Sequence, residues 1–360
     1  MTAVDTSRTV PRRRLFWAIY AGYLTVLLFI TYRVALWLFY AANPIGLSTA
    51  VNPYRSMYPE LFVRGIVNSQ PDGVTYRVLL LGGSVAEQTG NALEEMLCEK
   101  MKQPVKVYNA ASAALTTRDS LNKLEYLAEC KTQFDLIIVY HGINDVNLNR
   151  YPADVFREDY THSGWYNWIE TMRKNPHASI QNVVRDSFRR VASATEEQEF
   201  DWGDDIKTPP AFEANLRSMI RLAEQEDTPI VLATFANYIP PNYTVEAFRA
   251  GELGYGKGEF GHPTTVWGWT ENVRDTIAAH NEAIRRVVAD HSELPFVDLQ
   301  SIIIEPKDFC DVCHLTESGI TLFAESMTAA ILDSGISLVP RKPSVAATQS
   351  PDLFDRPQLK

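Results

Sequence analysis

Three short stretches of this chain bring together residue types that can do covalent chemistry. Residues 310–314 read CDVCH. That is C-x-x-C-H, the pattern that attaches haem covalently. The same stretch places Asp311 three residues before His314, a spacing that can orient an acid–base pair. The two readings compete for one side chain. An iron ligand has its lone pair engaged, whereas a general base must keep one ring nitrogen free. The second stretch is Gly82-Gly83-Ser84, where two glycines permit a sharp turn and a following helix start stabilises negative charge. A serine there is a candidate nucleophile. A phosphate-binding loop or a plain turn is the alternative, but the G-x-G-x-x-G spacing of a dinucleotide site is absent. The third is "HGINDVN". Asn144 offers side-chain N–H groups, Asp145 is placed to fix the loop by accepting backbone hydrogen bonds, and His141 is a rival base. An Asn-Asp turn is the bland reading.

The elements that must position these residues follow from the apolar pattern. "YRVLLLGGS", "PVKVYNA", "FDLIIVYHG", "TPIVLATFAN" and "LPFVDLQ" are short runs that are continuously rather than alternately apolar. Such runs suit parallel strands covered on both faces. Amphipathic stretches lie between them, and "LTESGITLFAESMTAAIL" supplies a last helix. Strand–helix alternation predicts an α/β fold with right-handed crossovers and a central parallel sheet of about five strands. In such sheets chemistry collects beyond the carboxyl ends of the strands. Ser84, Asn144, Asp311 and His314 each follow a strand. So does "NAASAALTTRDS", whose small residues let backbone N–H groups approach a ligand or simply pack a helix start.

The 360 residues allow one large domain or two small ones. The net charge of −10 argues against a nucleic-acid footprint, which needs clustered Lys and Arg. Residues 1–14 carry Arg8, Arg12, Arg13 and Arg14 ahead of an uncharged run from Leu15 to Tyr32. Residues 15–42 read as a transmembrane helix, with Arg33 snorkelling to the interface. The basic flank predicts a cytoplasmic N-terminus and a large extracytoplasmic remainder. A cleaved signal peptide is the alternative, without a clean cleavage site. Residues 43–75 read as a linker or outer wrap, and 336–360 as a polar disordered tail. All four cysteines lie beyond the span, where two disulfides are permitted. Cys310–Cys313 with Cys98–Cys130 is the expected pairing, and free buried thiols are the alternative.

Taken together, these blocks resemble the SGNH hydrolases, also called GDSL-type esterases and lipases. The strand–G-D-S block is matched by "LLLGGS", with Gly83 where Asp is usual. G-x-N-D is matched by Gly142 to Asp145, and D-x-x-H by Asp311 to His314. Counting from Asn109, Ala114 falls where the family usually places a glycine. The resemblance spans roughly 76–333 and implies a three-layer α/β/α flavodoxin-like domain over 76–335. It implies a triad of Ser84, Asp311 and His314. It also implies an oxyanion hole from the N–H groups of Ser84 and Ala114 and the Asn144 amide, acyl transfer through an acyl-serine, and no metal or organic cofactor.

Two long insertions, 146–210 and 237–270, emerge on the edge that bears the site. They hold Tyr151, Tyr160, Trp165, Tyr166, Trp168 and Trp202, and Tyr238, Tyr243, Tyr255, Trp267 and Trp269. Their rings suit stacking on sugars or covering an acyl chain, or else forming the insertions' own small cores. A membrane-tethered, exported member of such a family meets cell-envelope polymers and lipids. The resemblance therefore implies hydrolysis of O-acyl, foremost O-acetyl, groups on envelope carbohydrate or lipid. O-acetyl transfer by the same triad and a non-catalytic glycan-binding scaffold are the competing expectations.

Overall fold

A computed structural model describes residues 10–42, 53–174 and 205–343 of the chain. They divide into an N-terminal unit ending at Val51 and a compact unit from Asn52 onward.

The first unit is helix α1, Val10–Ala42. It begins five residues ahead of the expected span. Among the described residues no helix is long and apolar enough to cross a membrane. Residues 1–9 and the side chains of residues 10–15, 18 and 36–42 lie outside the described residues.

The second unit is built on five parallel strands: β1 Tyr76–Gly82, β2 Val105–Asn109, β3 Leu136–Tyr140, β4 Ile230–Ala233 and β5 Phe296–Val297. Their order is β2-β1-β3-β4-β5. This is the doubly wound, flavodoxin-like arrangement, and its switch point falls between β1 and β3. Strand residues alternate between two cores. Val78 and Leu80 face one with Ile138 and Val231, while Leu79 and Leu81 face the other with Ile137 and Leu232. Both faces are covered, which is why the strands read as continuous apolar runs.

Before the sheet come the short helices α2 Pro53–Met57 and α3 Glu60–Val63. Then follow α4 Ser84–Met101, α5 Thr117–Glu129, α6 Ile143–Val146 and α7 Gly164–Lys174. Among the described residues there follow α8 Pro209–Gln225, α9 Val245–Ala250, α10 Thr270–Asp290, α11 Leu299–Ile302 and α12 Glu317–Asp333. Helices α4 and α12 fill the first core through Leu93, Leu97, Phe323 and Met327. Helices α5 and α8 fill the second through Leu121, Leu124, Leu216 and Met219. A reciprocal Thr116–Asp119 capping box starts α5, satisfying two of its orphan donors.

Both flanks pack on the domain. Of the two readings of residues 43–75, linker or outer wrap, residues 53–69 form a wrap: Tyr58, Leu61 and Ile66 are fully buried in the second core. Glu60 from α3 forms a buried ion pair with Lys123 of α5, whose ammonium also donates to Ala110 O at 2.5 Å. Residues 336–343, expected as the start of a disordered tail, pack along the domain. Gln103 Nε2 donates to Leu338 O at 2.8 Å, and Arg341 N donates to Asp135 Oδ1 at 2.8 Å. Residues 344–360 lie outside the described residues.

Candidate active site

Strand β1 delivers the serine. A Cβ at Gly82 would collide with Ala86 and Tyr140 O, so only glycine lets the strand turn so tightly into α4. Gly83 caps α4 and Ser84 is its first residue. The cap geometry is ordinary, with φ −92°. What requires glycine at 83 is the Asn144 amide nitrogen, which occupies the space a side chain would take.

The loop between β5 and α12 delivers the other two groups. His314 Nε2 lies 2.9 Å from Ser84 Oγ. Its Nδ1 lies 2.8 Å from Asp311 Oδ2 and 3.0 Å from Oδ1. A carboxylate can only accept, so Nδ1 carries the proton and Nε2 accepts from the Ser84 hydroxyl. Asp311 is fully buried, His314 is 2% exposed and Ser84 9%. Burial pushes the Asp311 carboxyl up. The hydrogen bond and charge of His314, with the N–H groups of Cys313 and His314, outweigh it and hold the carboxyl below its ordinary value.

On the opposite side, Asn144 Nδ2 donates to Leu115 O at 2.8 Å, while Ser112 N reaches Gly82 O at 3.3 Å. The two contacts pin the 112–115 turn at the rim of the crevice. Ala114 sits in that turn with φ +62°, the left-handed region that glycine adopts freely. Arg64 braces the stretch just upstream, donating to Asn109 O at 2.8 Å and Ala111 O at 3.0 Å while pairing with Glu87 at 2.6 Å.

Other sequence candidates have structural work. His141 is buried, and its Nε2 is hydrogen-bonded to Ser120 Oγ at 2.7 Å. Burial, helped by the Lys123 charge, pushes its pKa down to about 3, so it stays neutral and is no rival to His314. Asp145 does not fix its own loop. It accepts from Thr117 N at 3.0 Å, Thr117 Oγ1 at 2.6 Å and the Tyr160 hydroxyl at 2.9 Å, tying α6 to the start of α5. Burial raises its pKa to about 6.

The four cysteines are free thiols, which corrects the expected disulfides. Cys98 packs against the first core and Cys130 against the second, on opposite faces of the sheet. Cys310 Sγ points at Leu315 O, 3.2 Å away, whereas Cys313 Sγ lies 3.6 Å from His314 Nδ1. The haem reading fails on the same geometry: Cys313 is fully buried and His314 Nε2 faces Ser84. Asp311, Cys313 and His314 are close enough together to surround an ion. They fit one poorly, because Asp311 and His314 are engaged with each other and burial drives the Cys313 thiol well above its ordinary pKa.

Most insertion aromatics join the domain's two main cores rather than cores of their own. Tyr243 and Trp267 are buried in the first, Tyr151, Tyr160 and Tyr166 in the second, and Trp165 donates to Asp119 at 3.1 Å. Trp269, by contrast, is 60% exposed. The Trp168 side chain and Trp202 lie outside the described residues. Three contributors escaped the sequence reading. His280 holds Gly142 O through Nδ1 at 3.0 Å. Phe260 stacks on the His314 ring at 4.1 Å, and His262 N donates to Asp311 Oδ2 at 3.0 Å. A cavity of about 840 Å³ is at the opposite ends of the strands, near Asp135, Pro229 and Arg341. The space beside Ser84 is only about 10 Å³, between Val85, Ile143, Asn144 and Phe235.

A parallel α/β sheet with a hydrogen-bonded serine, imidazole and carboxylate beyond its strand ends is the architecture of a serine hydrolase. Residues 73–321 match the GDSL-like lipase/acylhydrolase family, and the chain belongs to that family. It is an ester-hydrolysing enzyme. Similar solved structures include a GDSL-like lipase from Bacteroides thetaiotaomicron, 14% identical with a TM-score of 0.45, covering 77% of this chain and 98% of that one. A putative acylhydrolase from Bacteroides fragilis is 15% identical with a TM-score of 0.43, covering 79% and 97%. An acetylxylan esterase from Geobacillus stearothermophilus is 15% identical with a TM-score of 0.39, covering 75% and 97%. Comparison with curated proteins returned no match.

Proposed function

We propose that Ser84 is the nucleophile of an esterase that removes short acyl groups, foremost acetyl, from carbohydrate of the cell envelope. The observation that carries the reading is the continuous chain Ser84 Oγ–His314 Nε2, His314 Nδ1–Asp311. His314 takes the Ser84 proton as Oγ attacks the ester carbonyl. Asp311 fixes the tautomer and stabilises the imidazolium. The N–H groups of Ser84 and Ala114 and the Asn144 amide receive the oxyanion, and one such donor is worth about 3 kcal/mol of barrier. His314 then protonates the leaving alcohol. Water, activated in turn by His314, releases the acid.

The exposed Trp269 is suited to a sugar face. Helix α1 supports tethering. Phe16, Trp17, Ile19, Leu28 and Phe29 are all more than half exposed, and such a surface is stable in lipid. With Arg8 and Arg12 to Arg14 ahead of the uncharged run that begins at Leu15, the N-terminus is cytoplasmic and the enzyme acts outside the cytoplasm.

The test is product analysis on acetylated envelope glycan with full-length protein in membranes. Free acetate, lost in Ser84→Ala and His314→Ala proteins of unchanged melting temperature, is the expected result. Acetyl groups appearing on an added sugar acceptor would instead assign transfer. Acetate release undiminished by Ser84→Ala would remove the serine from the mechanism.

A further inference from the structure

The second insertion contains a stretch that neither the family blocks nor the triad uses: GYGKGEFGH, residues 254–262. We infer that this glycine-spaced loop is a positioning element of the active site, holding the His314–Asp311 pair through the Phe260 ring and the His262 backbone N–H. The inference rests on the triad reading above.

The glycines let the loop lie flat on the segment that carries the pair. Gly254 turns with φ +78°. Gly256 N donates to Phe309 O at 2.8 Å, and a Cβ there would collide with Lys307 O. At Gly258 a Cβ would run into the Cys310 sulfur. Tyr255 anchors the loop from the other side, its hydroxyl donating to Tyr238 O at 2.5 Å, while Tyr238 N reaches Val312 O at 3.1 Å. With its backbone laid down in this way, the loop delivers two contacts. Phe260 stacks on the imidazole with centroids 4.1 Å apart and planes 9° from parallel. His262 N donates to Asp311 Oδ2 at 3.0 Å, adding to the N–H groups of Cys313 and His314 on Oδ1.

The consequences are mechanical and electrostatic. Asp311 and His314 share one short loop, so rotation of either side chain would break the line to Ser84. The flat ring confines the imidazole to the plane in which both its nitrogens are engaged. An aromatic face also attracts the imidazolium formed at each tetrahedral stage. The third backbone donor stops the carboxylate from turning away. Phe260 acts through His314, so its loss falls on the chemical step and spares substrate binding.

Full-length Phe260→Leu and Phe260→Tyr proteins test this with p-nitrophenyl acetate, melting temperature and the low-field proton resonance of His314 Nδ1–H. Leucine keeps apolar bulk without a flat face, and tyrosine keeps the face. Phe260→Leu is expected to lower kcat about tenfold with KM held within about twofold, because a small misalignment of a reacting group is costly. Its Nδ1–H resonance should broaden at unchanged melting temperature, and Phe260→Tyr should retain most of kcat and the sharp line. Wild-type kcat and resonance in Phe260→Leu, or an equal loss in both variants, overturns the inference while turnover still depends on Ser84. Turnover independent of Ser84 overturns the triad reading and this inference with it.

Discussion

Gly83 and Asn144 occupy one space between them. The family's usual acid at position 83 has been replaced by a residue without a side chain, and the Asn144 amide nitrogen lies where that side chain would begin. The amide also keeps its bond to Leu115 O, which holds the turn containing Ala114. Gly83→Asp should therefore push Asn144 aside and lower kcat about 100-fold through a lost oxyanion donor. Wild-type kcat in that variant would show that Asn144 works equally well from another position. At this scale the sequence was most informative. Ser84, Asn144, Asp311 and His314 were each legible because each follows an apolar run. Phe260 and His262 were not, since their partners lie about 50 residues on and nothing local marks a backbone donor. The cysteine pairing was misread because spacing along the chain does not report which face of a sheet a side chain reaches.

At the scale of elements, the pre-strand helices are part of the catalytic unit's support. Glu60 of α3 neutralises Lys123 of α5 inside the second core, where burial lowers the lysine's pKa. Glu60→Gln strands that charge and should cost about 3–5 kcal/mol, read as a lower urea midpoint. A variant of wild-type midpoint would mean that Lys123 sheds its proton at little cost. The link between α6 and α5 has its own pH signature. Asp145 has a folded pKa of about 6, above the ordinary value of 3.8. Its contribution is fully present below about pH 4 and is lost as pH rises through about 6. Asp145→Asn removes that dependence, so the variant's melting temperature should improve relative to wild type between pH 5 and pH 7. A constant difference across that range would exclude Asp145 as the titrating group. The sequence called residues 43–75 a linker or wrap because Pro, Asn and Gly break any periodicity there. Burial of Tyr58 and Leu61 is decided by the groove they meet, which no local pattern records.

For the whole molecule, the sheet was legible in outline. Five continuous apolar runs gave five parallel strands, and their order followed only in three dimensions. Ser84 and His314 meet across 230 residues of chain. The histidine loop follows β5, a two-residue edge strand held to the sheet only through β4. A contact of that separation carries the full loop-closure cost and forms after the local ones. Ester turnover is therefore a clock for the final event of folding. In refolding from urea, helical signal should recover first, and hydrolysis of p-nitrophenyl acetate should return with the slowest phase. Activity that returned with the helical signal would mean that the edge strand docks early. On the proposed mechanism the Ser84–His314 bond then also certifies a finished molecule: a chain that stalls before its edge strand docks carries the serine without its base.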